Sequence, residues 1–232
     1  MQPLQQRDSD PADYSPLLKP ISPTSVNDAV YQTLSQRLIY GVYQAGQVLG
    51  IQELADDLHT STMPVREALR RLVAQKALEP MRSRSMRVPL ITADRLLDLR
   101  RVRLLAEGQA IEWACAQLDA AALSTLEALA IDIQRVRTDL TASLALNLQF
   151  HFLIYRAAHS QVLLAVIENL WLQSGPYLRA AREQCGIERE AVDDHHHAIV
   201  ACLRAGDSEG AKQALQADIS WPFDQLCNRP SD

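Results

Sequence analysis

Two stretches of this chain place reactive or charged side chains at helical spacing. In "NLQFH", Asn147 and His151 stand four residues apart, so on a helix both point from one face. Farther on comes a run of three histidines, His195, His196 and His197. Neighbours on a helix are ~100° apart, so one of the three should face a core. An imidazole among apolar residues is either a hydrogen-bonded core group or a metal ligand. The second stretch is "STMPVREALRRL", residues 61–72. Val65, Ala68, Leu69 and Leu72 mark one face of a helix. Arg66 and Arg70 share the opposite stripe, with Arg71 beside them. A basic stripe of this kind either grips a polyanion or is simply solvated.

The charge distribution favours the polyanion. The 232-residue chain has a formal net charge of −5. From Ser61 to Val88, seven basic residues face two acids, a local +5; from Ile91 to Asp232, 13 basic and 19 acidic residues give −6. One part of the chain is therefore suited to nucleic acid and the rest is not. Ala and Leu dominate the C-terminal two thirds and aromatics are 5% of the chain, which favours helices over strands. No run approaches the roughly 18 apolar residues of a membrane span. Cys115, Cys185, Cys202 and Cys227 form no CxxC pair, which reads as a reduced, cytoplasmic thiol set.

These signals must be positioned by an ordered set of elements. Residues 1–23 hold five prolines and few aliphatics and read as a disordered arm. Residues 24–90 read as three short helices and a basic hairpin. Val26, Val30, Leu34 and Leu38 space the first helix; Ile51, Leu54, Ala55 and Leu58 the second; "HTST" is a tight break before the third. Ser61 is placed as the N-cap of that third helix. "VYQAGQVLG" reads as a turn or short strand, and "ALEPMRSRSMRVPL" as a two-stranded wing with Arg82, Arg84 and Arg87 near its tip. Residues 91–228 read as six helices, near 93–117, 119–138, 141–158, 161–184, 187–205 and 207–226, with a kink expected at Gly175-Pro176. The expected fold is mainly α: an N-terminal winged helix-turn-helix with a small β wing, then an all-helical bundle. In such a motif the second helix of the pair enters the major groove.

"LGIQELADDLHTSTMPVREALRRLVAQKAL" resembles the winged helix of GntR-type bacterial regulators, and "PVREALRRL" matches their core fully. "RRVRLLAEGQA", "NLQFH" and "HHHAIVACLRAGD" resemble the all-helical FCD ligand-binding domain of the FadR subgroup. The resemblance implies DNA contacts from Ser61, Arg66, Arg70 and Arg84, and leaves Arg71 as either a contact or a surface charge. His59 stands where the family has Gly, Thr62 where it has Arg, and Ser85 where the wing tip has Gly.

The resemblance also implies a divalent metal held inside the bundle. Asn147 and His151 match its Asp/Asn-x-x-x-His motif, and alignment selects His196 from the histidine run. The last family histidine falls on Asp218. Two imidazoles with oxygen donors suit Zn, Ni, Mn or Fe; a metal-free hydrogen-bonded cluster is the alternative. Arg103 aligns with an arginine that holds an effector carboxylate in relatives; a salt bridge to Glu107 one turn on is its alternative role.

The expected protein is a cytoplasmic, homodimeric regulator of transcription. It binds a double-stranded operator under control of a small organic-acid effector, with no membrane association. A metal-sensing regulator is the runner-up. A metal-dependent enzyme ranks last, since no HExxH, GxxxxGK[ST] or GxSxG occurs.

Overall fold

A computed structural model of the chain describes residues 26–82, 85–185 and 194–227. The N-terminal arm and Arg84 lie outside the described residues. The first unit holds α1 (Val26–Ile39), β1 (Val48–Leu49), α2 (Ile51–Asp57), α3 (Thr62–Ala74), β2 (Glu79–Pro80) and β3 (Met86–Arg87). The fourfold spacing of α1 buries Val30, Leu34 and Leu38 against Leu54, Val65, Leu69 and Leu72 of α2 and α3. His59 takes φ +49° in the turn before α3, a conformation that His adopts more readily than a β-branched residue. The sheet has order β1-β3-β2, all antiparallel. The wing expected as two strands thus gains a third, β1 from "VYQAGQVLG", which anchors the hairpin to the helices.

Six helices follow: α4 (Ala93–Cys115), α5 (Ala120–Arg135), α6 (Leu140–Ala157), α7 (Gln161–Cys185), α8 (Asp194–Ala205) and α9 (Ser208–Cys227). Side chains of Thr92, Asp119 and Asp139 cap α4, α5 and α6, which fixes where each helix starts. The expected helix from residue 187 is described only from Asp194 onward. The core is built from Ile111, Phe150, Ile154, Leu215 and Phe223, all at most 1% exposed.

α7 belongs to both units. Leu172 completes the core of the first unit, while Trp171 and Leu178 pack in the bundle. The helix runs unbroken through Pro176. Gly175 serves a close approach: a Cβ there would lie 2.1 Å from the Leu38 carbonyl oxygen and 2.6 Å from that of Ile39. Arg95 adds a polar tie. Its guanidinium donates to the Tyr177 hydroxyl (2.7 Å), the Lys76 carbonyl just past α3 (2.9 Å) and Gln173 (3.1 Å).

Gly175→Ala should therefore force α1 and α7 apart and destabilise the chain by about 1–3 kcal/mol. Thermal unfolding followed by circular dichroism checks this; a melting temperature equal to that of the wild type would show that the contact yields without strain.

Candidate functional site

The candidate nucleic-acid surface is carried by α3. Its buried face is fixed by Val65, Ala68, Leu69 and Leu72, so its other face points outward. Ser61 is the N-cap residue, with extended backbone, but its side chain makes no bond to the helix; the hydroxyl is left for another acceptor or donor. Arg66 has no ion-pair partner among the described residues. Arg70 is exposed and lies 3.9 Å from Glu67, a loose pair. Arg71 is braced within the unit, 2.9 Å from Asp28 and stacked 3.7 Å over the Tyr31 ring. Arg87 pairs with Glu79 at 2.6 Å, within the sheet, so it stiffens the wing.

The second site lies inside the bundle. α6 carries Ser143, Asn147, His151 and Tyr155, one residue per four, all buried. His196 of α8 and Asp218 of α9 complete the group. His151 Nε2 lies 3.1 Å from Asp218 Oδ2, and His196 Nε2 lies 3.9 Å from Asp218 Oδ1. His196 Nε2 also lies 3.0 Å from Asn147 Oδ1. Ligand atoms of His151, His196 and Asp218 all fall within 4.8 Å of one another. Arg182 of α7 donates to Ser143 (2.8 Å) and to Asn147 Oδ1 (3.0 Å). Arg103 and Glu107 of α4 form a fully buried two-bond pair, at 2.6 and 3.2 Å.

The proton bookkeeping around His151 is informative. Tyr155 gives its one hydroxyl proton to Glu107, so it accepts from His151 Nδ1, 3.1 Å away. His151 Nε2 then faces the Asp218 carboxylate either bare or carrying a second proton that it donates. Two acceptors at that distance need a cation or a second imidazole proton between them. The donor set therefore fits a divalent ion, with Tyr155 and Glu107 orienting the histidine from behind. The cavity is about 20 Å³, room for about one water. Its wall includes buried donors without a partner among the described residues, Arg103 Nη1 and Trp171 Nε1.

Residues 26–88 match the gntR family of bacterial regulatory proteins, and residues 98–220 match the FCD domain. The HTH-type transcriptional regulator McbR of Escherichia coli K12 is 30% identical over 189 residues, covering 80% of this chain and 86% of that protein. The chain is a GntR-family transcriptional regulator with an FCD domain. The Exu regulon transcriptional regulator of the same organism is 26% identical over 219 residues, with 86% and 83% covered. The solved structure of E. coli McbR/YncC superposes with TM-score 0.82 at 29% identity, covering 88% of this chain and 97% of that one. These relatives are named as regulators, which sets aside the enzyme reading.

The bundle brings all four sequence-predicted ligands of this regulator together, and it places Arg103 beside them in the Glu107 pair. Arg182, Ser143 and Tyr155 were missed by sequence reading. A signal was present for two of them: Ser143 and Tyr155 continue the fourfold polar stripe of Asn147 and His151 through a mostly apolar helix. Arg182 gave no comparable signal, because α7 also carries Arg179 and only the packing separates the buried one. Tyr177 faces away from the cluster and accepts from Arg95 at 2.7 Å.

Burial lowers the His196 imidazole from its ordinary 6.5 to about 4, with the Asp218 carboxylate only partly opposing it. Burial alone would raise the Asp218 carboxyl. His196, the hydrogen bond from His151 and the charge on Arg182 outweigh that and hold it well below its usual range. In the unfolded chain His196 takes a proton near 6.5, whereas in the fold it resists until about 4. Stability is thus full above the unfolded value and is lost as pH falls from 6.5 towards 4, by up to about 3 kcal/mol. Chemical denaturation in chelator at a series of pH values checks this. His196→Gln should flatten the slope in that window; an unchanged slope would show that another group titrates there.

Proposed function

We propose that this GntR-family regulator binds a two-fold operator as a homodimer in the cytoplasm, and that a small organic acid, acting with a divalent metal in the bundle, controls it. The winged helix occupies about residues 24–90 and the effector domain about residues 91–228. Operator contact falls to Ser61, Arg66, Arg70 and Arg84. The observation that carries the DNA half is the outward face of α3, where Arg66 stands unpaired among the described residues. One winged helix reads few base pairs, and a dimer doubles the site.

Asn147, His151, His196 and Asp218 would hold the ion, of Zn, Ni, Mn or Fe. It would supply a fixed positive charge for an acid's carboxylate. The acid would also engage Arg103, whose Nη1 is buried without a partner among the described residues. In its closed form the cavity admits little more than a water, so the acid selects a second, opened arrangement. An effector must distinguish two such states to act at all. The metal-sensing alternative rests on the same cluster, with the ion itself as the signal.

The test is a gel-shift titration against the DNA upstream of this gene, over a range of salt and with a panel of small organic acids. Affinity should fall steeply with salt. Arg66→Ala should cost about 1–3 kcal/mol if the side chain reaches a base. Arg103→Lys should leave DNA affinity intact but remove the response to the acid, because the fork that binds a carboxylate is gone. A complex indifferent to salt and to sequence would overturn the reading, and a normal acid response in Arg103→Lys would remove Arg103 from the site.

A further inference from the structure

A second, larger cavity lies between the two units. It has a volume of about 600 Å³ and is walled by α1, the end of α3, α6 and α7. The internal pocket, by contrast, has room for about one water. Two buried oxygen atoms in the cleft wall have no hydrogen-bond partner among the described residues: Ser35 Oγ from α1 and Asn169 Oδ1 from α7. Buried polar atoms are rarely left unpaired, and here each unit contributes one to the same space.

The rest of the lining limits what can satisfy them. Tyr40 brings an aromatic ring to the wall, as do Tyr31 and Phe152, whose rings already carry Arg71 and Arg156 on one face, and Gln36, Gln75 and Gln149 offer amides. Gln75 accepts from the Tyr31 hydroxyl at 2.8 Å, which leaves its amide N–H groups to donate. An amide gives and takes hydrogen bonds side by side, as a hydroxyl does. The charges are balanced, one Arg156 against one Glu168. Arg156 lies 5.5 Å over the Phe152 ring and has no carboxylate partner among the described residues. The internal site sets Arg103 and Arg182 against Glu107 and Asp218, so it favours an anion only with a cation bound; the cleft holds one charge of each sign and selects for neither.

We propose that the cleft between α1, α6 and α7 is a second ligand site, for an uncharged hydroxylated ring compound of the carbohydrate class. The apolar C–H face of the ring stacks on the aromatic side chains. Its hydroxyls exchange hydrogen bonds with the glutamines, and with Ser35 and Asn169 once those side chains turn their buried oxygens toward the ligand. The ligand touches both units at once. α1 is tied to α3 through Tyr31, which meets Gln75 and Arg71, so occupancy bears directly on the placement of the recognition helix. That consequence for DNA rests on the regulator reading; occupancy itself is measured without DNA, so the two can fail separately.

The full-length chain is titrated calorimetrically with methyl glycosides of glucose, galactose, mannose and N-acetylglucosamine, and with gluconate and acetate as charged controls. At least one glycoside should give saturable heat. The Ser35→Ala, Asn169→Leu double variant should weaken that binding roughly tenfold or more, while its unfolding temperature without sugar stays equal or rises, because two unpaired buried oxygens are gone. No heat from any glycoside at tens of millimolar overturns the proposal. So does glycoside binding unchanged in the double variant, or saturable binding of the acids alone that the variant abolishes.

Discussion

Gly175 has no side chain where the carbonyls of Leu38 and Ile39 meet α7, and the geometry of the whole molecule follows from that approach. The last turn of α1 can lie against α7 only because the Cβ is missing. Once it does, Leu172 enters the core of the winged helix and Arg95 reaches Lys76, Gln173 and Tyr177 together. Other faces of the same helix present Trp171, Leu178 and Arg182 to the internal cavity. A shift of α7 therefore cannot be confined to one unit. Packed interiors respond to strain by moving between discrete arrangements rather than by bending smoothly, and in the proposed regulator a shared helix would turn that property into communication.

The polar interior of the bundle lies against α7. Arg103, Glu107, Asp218 and Arg182 place four charges in the middle of a helical bundle, where an unpaired charge would be severely unfavourable. They are tolerated because each is partnered: Arg103 by Glu107, Glu107 also by Tyr155, Asp218 by His151, and Arg182 by Ser143 and Asn147. Such an arrangement contributes less to stability than an apolar core of equal volume would. It leaves donors such as Arg103 Nη1 and Trp171 Nε1 without partners among the described residues, and those are available to a ligand. The family's histidine on the last helix is Asp218 here. In the proposed metal site the carboxylate would add a negative charge to ligands that are otherwise neutral, which suits harder ions than three imidazoles do.

Local periodicity made most of the fold legible. The fourfold apolar spacing of α1 and the Val65–Leu72 face of α3 survive folding because each fills one small core. The site was legible where it follows a single helix, as with Asn147 and His151, or where "HHHAIVACLRAGD" aligned His196. It was not legible where it depends on contacts between distant segments. Arg182 reaches Asn147 across 35 positions of sequence, and β1 joins the wing through Val48 and Arg87. Gly175-Pro176 shows the same limit. The pair signals a kink from composition alone, whereas its glycine is set by the carbonyl oxygens of another helix.

The central claim is that occupancy of the buried cluster and binding of DNA are coupled through this shared helix. Calorimetric titration of Zn²⁺ and Mn²⁺ into chelator-treated protein, free and bound to its operator duplex, tests it most directly. Coupling is reciprocal, so metal affinity must differ between the two forms by the same factor as operator affinity changes on metal saturation, typically about 5-fold or more. Metal uptake of equal affinity in both forms, or no uptake in either, would contradict the account.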